Sequence, residues 1–178
     1  MTILGLAQGK QFKEILPGGI EDMLRLYRNL SAIALTGVLS ATSVIAQTAN
    51  FGNLILSLGF PPESGMAAGN TGGSYSLSSM VNRDRDRNAC LGYGDETPDH
   101  ILVLEKDFPS LSIKVNSGGK DSTLVIQGPD NLVLCGDDTG SNKDASITAT
   151  NLKEGEYKVW VGAMTPNQNW AYTLSVKE

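Results

Sequence analysis

The stretch Asp121–Val161, DSTLVIQGPDNLVLCGDDTGSNKDASITATNLKEGEYKVWV, decides the fold of this chain. In Glu156–Val161 the side chains of Tyr157, Val159 and Val161 share one face of an extended segment, and Glu156, Lys158 and Trp160 share the other, so one face is buried. Thr123–Gln127 is a short apolar run rich in β-branched residues and bounded by Gly128-Pro129-Asp130-Asn131, which favours a well-buried strand over a helix. Leu132–Cys135 follows so closely that the two runs are predicted to form a hairpin.

Working outward, the same signals recur. Leu111, Ile113 and Val115 alternate with Ser112 and Lys114, and Trp170, Tyr172, Leu174 and Val176 share a face near the end. His100–Leu104, Asn53–Leu58 and Ser74–Val81 supply further strands, whereas Gly65–Gly73 is too glycine-rich for regular structure and reads as a flexible connection. The polar segment Arg83-Asp84-Arg85-Asp86-Arg87 reads as a solvated loop whose alternating charges partly cancel. About nine strands at short, regular spacing predict an all-β, antiparallel two-sheet sandwich of jelly-roll type, because parallel pairing needs longer crossovers. With 178 residues there is room for one ordinary domain and little for two.

Ahead of these strands, Arg25 and Arg28 precede an uncharged run at 30–46, LSAIALTGVLSATSVIA, and the small residues before Gln47 suggest cleavage after Ala46. Residues 1–46 are thus expected to be a signal peptide with a cleaved helix, Met23 being a candidate true start; an uncleaved anchor is the alternative. Residues 47–87 carry the first strands and the glycine-rich loop, and 88–178 the main sandwich. The expected location is secreted, periplasmic or at the cell surface, with no membrane contact after cleavage. Cys90 and Cys135 permit a single pairing and are predicted to form a disulfide, the competing reading being two buried thiols.

The net charge is −5, and with the first 46 residues set aside 10 basic residues still face 16 acidic ones. Such a surface disfavours nucleic acid, whose phosphates require clustered Lys and Arg. A phosphate loop is absent, since Gly119-Lys120 is followed by Asp121. No Gly-Xaa-Ser-Xaa-Gly elbow occurs, and the single histidine, His100, neighbours Asp99 along a strand, so the two project to opposite sides and do not pair as base and orienter.

Asp137, Asp138, Asn142 and Asp144 concentrate oxygen ligands in one acidic loop, and Asp121 and Asp99 are expected near the same end of the sandwich. Calcium, which takes six to eight oxygens, is the natural candidate as a structural ion, although the loop lacks the glycine and closing acid of an EF-hand. The alternative is that these residues accept backbone N–H bonds in Asx-turns. Trp160 faces away from Tyr157 and is a candidate platform for a sugar or peptide, with packing beneath a loop as the competing reading.

Several segments together resemble the bacterial pre-peptidase C-terminal domain: Asp121–Asp130, Cys135-Gly-Asp-Asp, Gly155–Gly162 and Tyr172–Val176, with Cys90-Leu-Gly-Tyr93 and Pro98-Asp99 ahead of them as in small exported proteins built on that domain. The resemblance covers roughly residues 88–178. It implies a β-sandwich, export and often no catalytic activity, in a fold whose members bind calcium, sugars or collagen. The expected function is a non-catalytic module that binds an extracellular polysaccharide, an envelope component or a protein; the alternatives are an accessory domain of a secreted peptidase and a small hydrolase using the acidic loop.

Overall fold

The computed structural model describes residues 48–139 and 141–178, which fall in one compact unit. The expected leader and its cleavage point lie outside the described residues. In chain order the strands are β1 (Asn53–Leu56), β2 (Met66–Asn70), β3 (Tyr75–Ser76), β4 (Tyr93–Gly94), β5 (His100–Leu104), β6 (Phe108–Asn116), β7 (Ser122–Gln127), β8 (Val133–Gly136), β9 (Ser146–Leu152), β10 (Gly155–Ala163) and β11 (Ala171–Lys177). Short 3-10 turns at Pro62–Gly65, Leu77–Ser79 and Pro129–Asn131 are the helical elements among the described residues.

The strands form the predicted sandwich of two sheets, one of seven strands and one of four. In the larger sheet β10 is central: it pairs with β5 and then β4 along one edge and with β7 along the other, β7 leads to β8, and β1 extends the β5 side. The smaller sheet runs β2-β11-β6-β9. From β5 to β11 the chain changes sheet at every connection except the hairpin β7–β8, so each sheet receives strands distant in sequence. The alternation is as read: Tyr157, Val159 and Val161 of β10 meet Leu111, Ile113, Val115, Leu174 and Val176 in a single buried cluster. The hairpin turns through Asp130 and Asn131, both at positive φ, a conformation that Asp and Asn tolerate better than most residues.

Three expectations are corrected. First, β1 pairs parallel to β5, Asn53 opposite Ile101 and Leu56 opposite Leu104. The long excursion through β2, β3 and β4 supplies the crossover that parallel pairing needs. Second, the glycine-rich segment is no flexible connection, for Met66–Asn70 is a strand hydrogen-bonded to β11. Gly69 is required there because a Cβ would meet the Tyr172 hydroxyl at 2.4 Å and the Phe51 ring at 2.8 Å. Third, Ser74–Val81 is a strand only at Tyr75–Ser76, after which a 3-10 turn drives Leu77 completely into the interior.

That turn begins a second, smaller core on the outer face of the larger sheet. Leu77, Cys90, Val125, Cys135 and Trp160 form it, and Cys90 and Cys135 are joined by a disulfide with Cα atoms 5.1 Å apart. The bridge ties the covering segment to β8, and a disulfide of this kind fits an exported protein. It closes a loop spanning 45 positions, a constraint on the unfolded chain of about 4 kcal/mol on the chain-entropy account.

Candidate metal centre

At one end of the sandwich the sheets are linked by the connection from β8 to β9, which begins Asp137-Asp138. Here Asp121, Asp137 and Asp138 converge, with one carboxylate oxygen from each lying within 4.8 Å of the others. Asp121 stands just before β7, held there because its carbonyl accepts the Met164 N–H at 3.0 Å. Asp137 directly follows β8, and its carbonyl accepts the Ser146 N–H at 3.2 Å, which pins the far end of the loop to β9. Asp138 is exposed beside them.

The electrostatics of this group are unbalanced. One oxygen of Asp137, Oδ1, is buried and receives no hydrogen bond from the described residues. Burial and then the charges of Asp138 and Asp121 push the Asp137 carboxyl above the usual carboxylate range. The nearby positive charge is Lys143, whose Nζ donates to Asp121 Oδ2 at 2.6 Å. That lysine reaches the outer carboxylate and leaves the buried oxygen unanswered. Three carboxylates of oxygen-donor type suit a hard divalent cation, which would satisfy the orphaned oxygen and relieve the mutual repulsion.

Two residues expected in this group are elsewhere. Asp144 is turned inward and accepts from the Ser117 and Gly119 backbones, the Ser117 hydroxyl and the Asn142 side-chain amide. Burial would raise its carboxyl, but the Ser117 and Asn142 bonds outweigh that and hold it below the usual range. Asn142 in turn accepts the Asp144 N–H at 3.2 Å, an Asx-turn within the loop. The acidic run therefore divides: Asp137 and Asp138 join Asp121, whereas Asn142 and Asp144 shape the turn that presents Lys143.

Trp160 is not a surface platform. Its face assignment is right, away from the main core, but Leu77 and the disulfide cover it, leaving it 4% exposed, and its indole N–H donates to the Glu96 carbonyl at 3.4 Å. His100 is fully buried; burial lowers its pKa to about 4, and Nε2 lies 2.9 Å from the Tyr172 hydroxyl. Asp99 serves the sheet. β5 leaves β10 where β4 has not yet reached it, and there the Asp99 carboxylate accepts the Val161 N–H at 2.7 Å, replacing a missing ladder bond. Burial pushes its pKa up to about 7.

The sequence reading missed Asp84. Within the supposedly solvated charged loop it is 8% exposed and accepts from the Asp86 N–H, the Asn88 N–H, the Asn88 side-chain amide and the Cys135 N–H, all within 3.0 Å. Its only signal was an acid followed at short spacing by amide donors. Asp84, Asp86 and Asn88 also line a cleft of about 390 Å³ with Asp137 and Asp138.

No protein-family model matches this sequence, and no curated protein does. Solved structures similar to it include the following two. One is the pre-peptidase C-terminal domain of a collagenase from Bacillus anthracis, 19% identical with a TM-score of 0.39 over 73% of this chain and 98% of that one. The other is CorA of Methylomicrobium album BG8, a surface-associated copper-binding protein, 8% identical with a TM-score of 0.42 over 73% of this chain and 99% of that one. The first of these is a domain of the family that the sequence motifs resemble.

Proposed function

We propose that the chain is an exported, non-catalytic β-sandwich module that binds an extracellular polysaccharide, envelope component or protein, and that a structural calcium ion at Asp121, Asp137 and Asp138 stabilises it. The observation that carries the reading is the buried Oδ1 of Asp137, without a hydrogen-bond partner among the described residues, within a group of three carboxylates. A bound cation would draw the β8–β9 connection to the start of β7 and fix the end of the sandwich. The uncharged run at 30–46, expected to belong to a signal peptide at 1–46, and the Cys90–Cys135 bridge support export. His100 and Asp99, the residues most suited to acid–base work, are committed to the Tyr172 hydroxyl and the Val161 amide. The test is to probe the purified protein on glycan and matrix-protein arrays in calcium and in chelator, alongside turnover panels of glycans and peptides. A calcium-dependent array signal without turnover supports the module; sustained hydrolysis abolished by Asp137→Asn would replace it with an enzyme.

A further inference from the structure

We infer that β1 is the contact edge of a two-fold homodimer, in which the β1 strands of two copies pair antiparallel and join their larger sheets. An unpaired strand edge offers its N–H and C=O groups to any passing strand, and folds ordinarily protect such edges. On the opposite side of this sandwich the protection is visible. The β8 edge is covered by the 83–88 loop, where Arg85 N–H donates to the Val133 carbonyl and Cys135 N–H donates to Asp84, and the Arg85 guanidinium donates to the Thr150 carbonyl on β9. β1 has no such cover among the described residues. Gly52 and Leu56 turn their carbonyls toward β5, so by alternation the N–H and C=O of Asn53 and Ile55 point outward.

The side chains agree. Ile55 is 62% exposed and Leu58 54%. From Thr48 to Pro62 no residue is charged, in a chain of net charge −5, so this is a strip along which two acidic copies approach without direct repulsion. Charge also sets the direction. Glu105, which accepts from the Ser57 hydroxyl, and Glu178, which accepts from the Gly59 N–H, both flank the C-terminal end of β1. Antiparallel pairing places that end of one copy against the Phe51 end of the other, where Asp95 is held beside Asn50, whereas parallel pairing would bring Glu105 and Glu178 of both copies together. The register with Asn53 opposite the second copy's Ile55 satisfies every outward backbone group of both residues, and it is self-complementary as a two-fold contact must be.

Sedimentation of the purified protein at about 100 µM should give twice the chain mass, and Ile55→Lys should weaken self-association by about 100-fold. The substituted side chain is solvent-facing, so the thermal midpoint and near-ultraviolet dichroism of dilute protein should be unchanged. As a control, Met164→Lys, at another exposed apolar position, should still form the dimer. Amide exchange at Asn53 and Ile55 should slow as concentration rises in the unsubstituted protein alone. A monomeric mass, a dimer that survives Ile55→Lys, or protection of these amides that does not depend on concentration, as a segment of the same chain on this edge would give, overturns the inference.

Discussion

Replacing Asp84 by Ala tests how the second core is held. The carboxylate uses both oxygens: Oδ1 accepts from the Asp86 and Asn88 backbones, and Oδ2 accepts from the Asn88 side chain and the Cys135 N–H. The loop donors can turn to water once it is gone, but the Cys135 N–H is buried and keeps none. An orphaned buried donor costs about 1–3 kcal/mol, and losing charge-assisted bonds in the loop adds about 1 kcal/mol, so the expected destabilisation is about 3 kcal/mol. For a domain of this size that lowers the thermal midpoint by about 10 °C. Asp84→Asn should be nearly as damaging, because an amide has a single acceptor oxygen and must abandon one of the two pairs. Burial would raise the Asp84 carboxyl, but the Asn88 and Cys135 bonds outweigh it and the pKa is lowered. A lowered carboxylate pKa contributes stability that is present above its unfolded value and lost as pH falls through the folded value, so the difference between wild type and Asp84→Asn should shrink below about pH 4. A midpoint change under about 3 °C at neutral pH for both variants would refute this account.

Other outcomes follow from the same geometry. Replacing Cys90 and Cys135 together by Ala should cost about 4 kcal/mol and expose Trp160, seen as a red shift and quenching of its fluorescence; unchanged stability would show that the bridge does not constrain the unfolded chain. Trp160→Ala should destabilise by about 3–5 kcal/mol, a cavity effect, and its chemical-denaturation midpoint checks this. Asp99 and His100 act in opposite senses. The raised Asp99 pKa gives stability that is full below pH 3.8 and lost by about 7, while the lowered His100 pKa gives stability that is full above pH 6.5 and lost by about 4. Together they largely cancel across that window, so Asp99→Asn should turn a flat profile into one that climbs from about pH 4 to about pH 6.5. Urea titrations at several pH values would show it, and a profile that falls over this range would contradict it.

Much of the sandwich was legible because side chains of β6, β11 and the first half of β10 alternate in burial, as the pleat requires, and because β7 is a continuous apolar run buried on both faces. Leu111, Ile113 and Val115 are inward as read. β2 was hidden because it is built of small residues whose strand conformation comes from docking on β11, where Tyr172 needs the space that Gly69 leaves. The parallel β1·β5 pair could not be read either, since alternation tells which face is buried and says nothing of which strand is the neighbour. At the acidic end, sequence proximity grouped Asp137, Asp138, Asn142 and Asp144. The loop folds back on itself through paired Thr139 and Asn142 backbones, sending Asp144 to Ser117 and leaving Asp121 as the third carboxylate of the group. Trp160 was assigned to the correct face, but alternation within one strand does not reveal a cover contributed by Leu77 and Cys90.

The measurement closest to the central claim is thermal unfolding of the purified protein in calcium and in chelator, repeated with Asp137→Asn. With calcium at about 100 times its dissociation constant, binding to the native state alone adds about 2.7 kcal/mol, so the wild-type midpoint should rise by several degrees and the variant's should not move. A wild-type midpoint that is identical in calcium and chelator would contradict the claim that Asp121, Asp137 and Asp138 are a cation site.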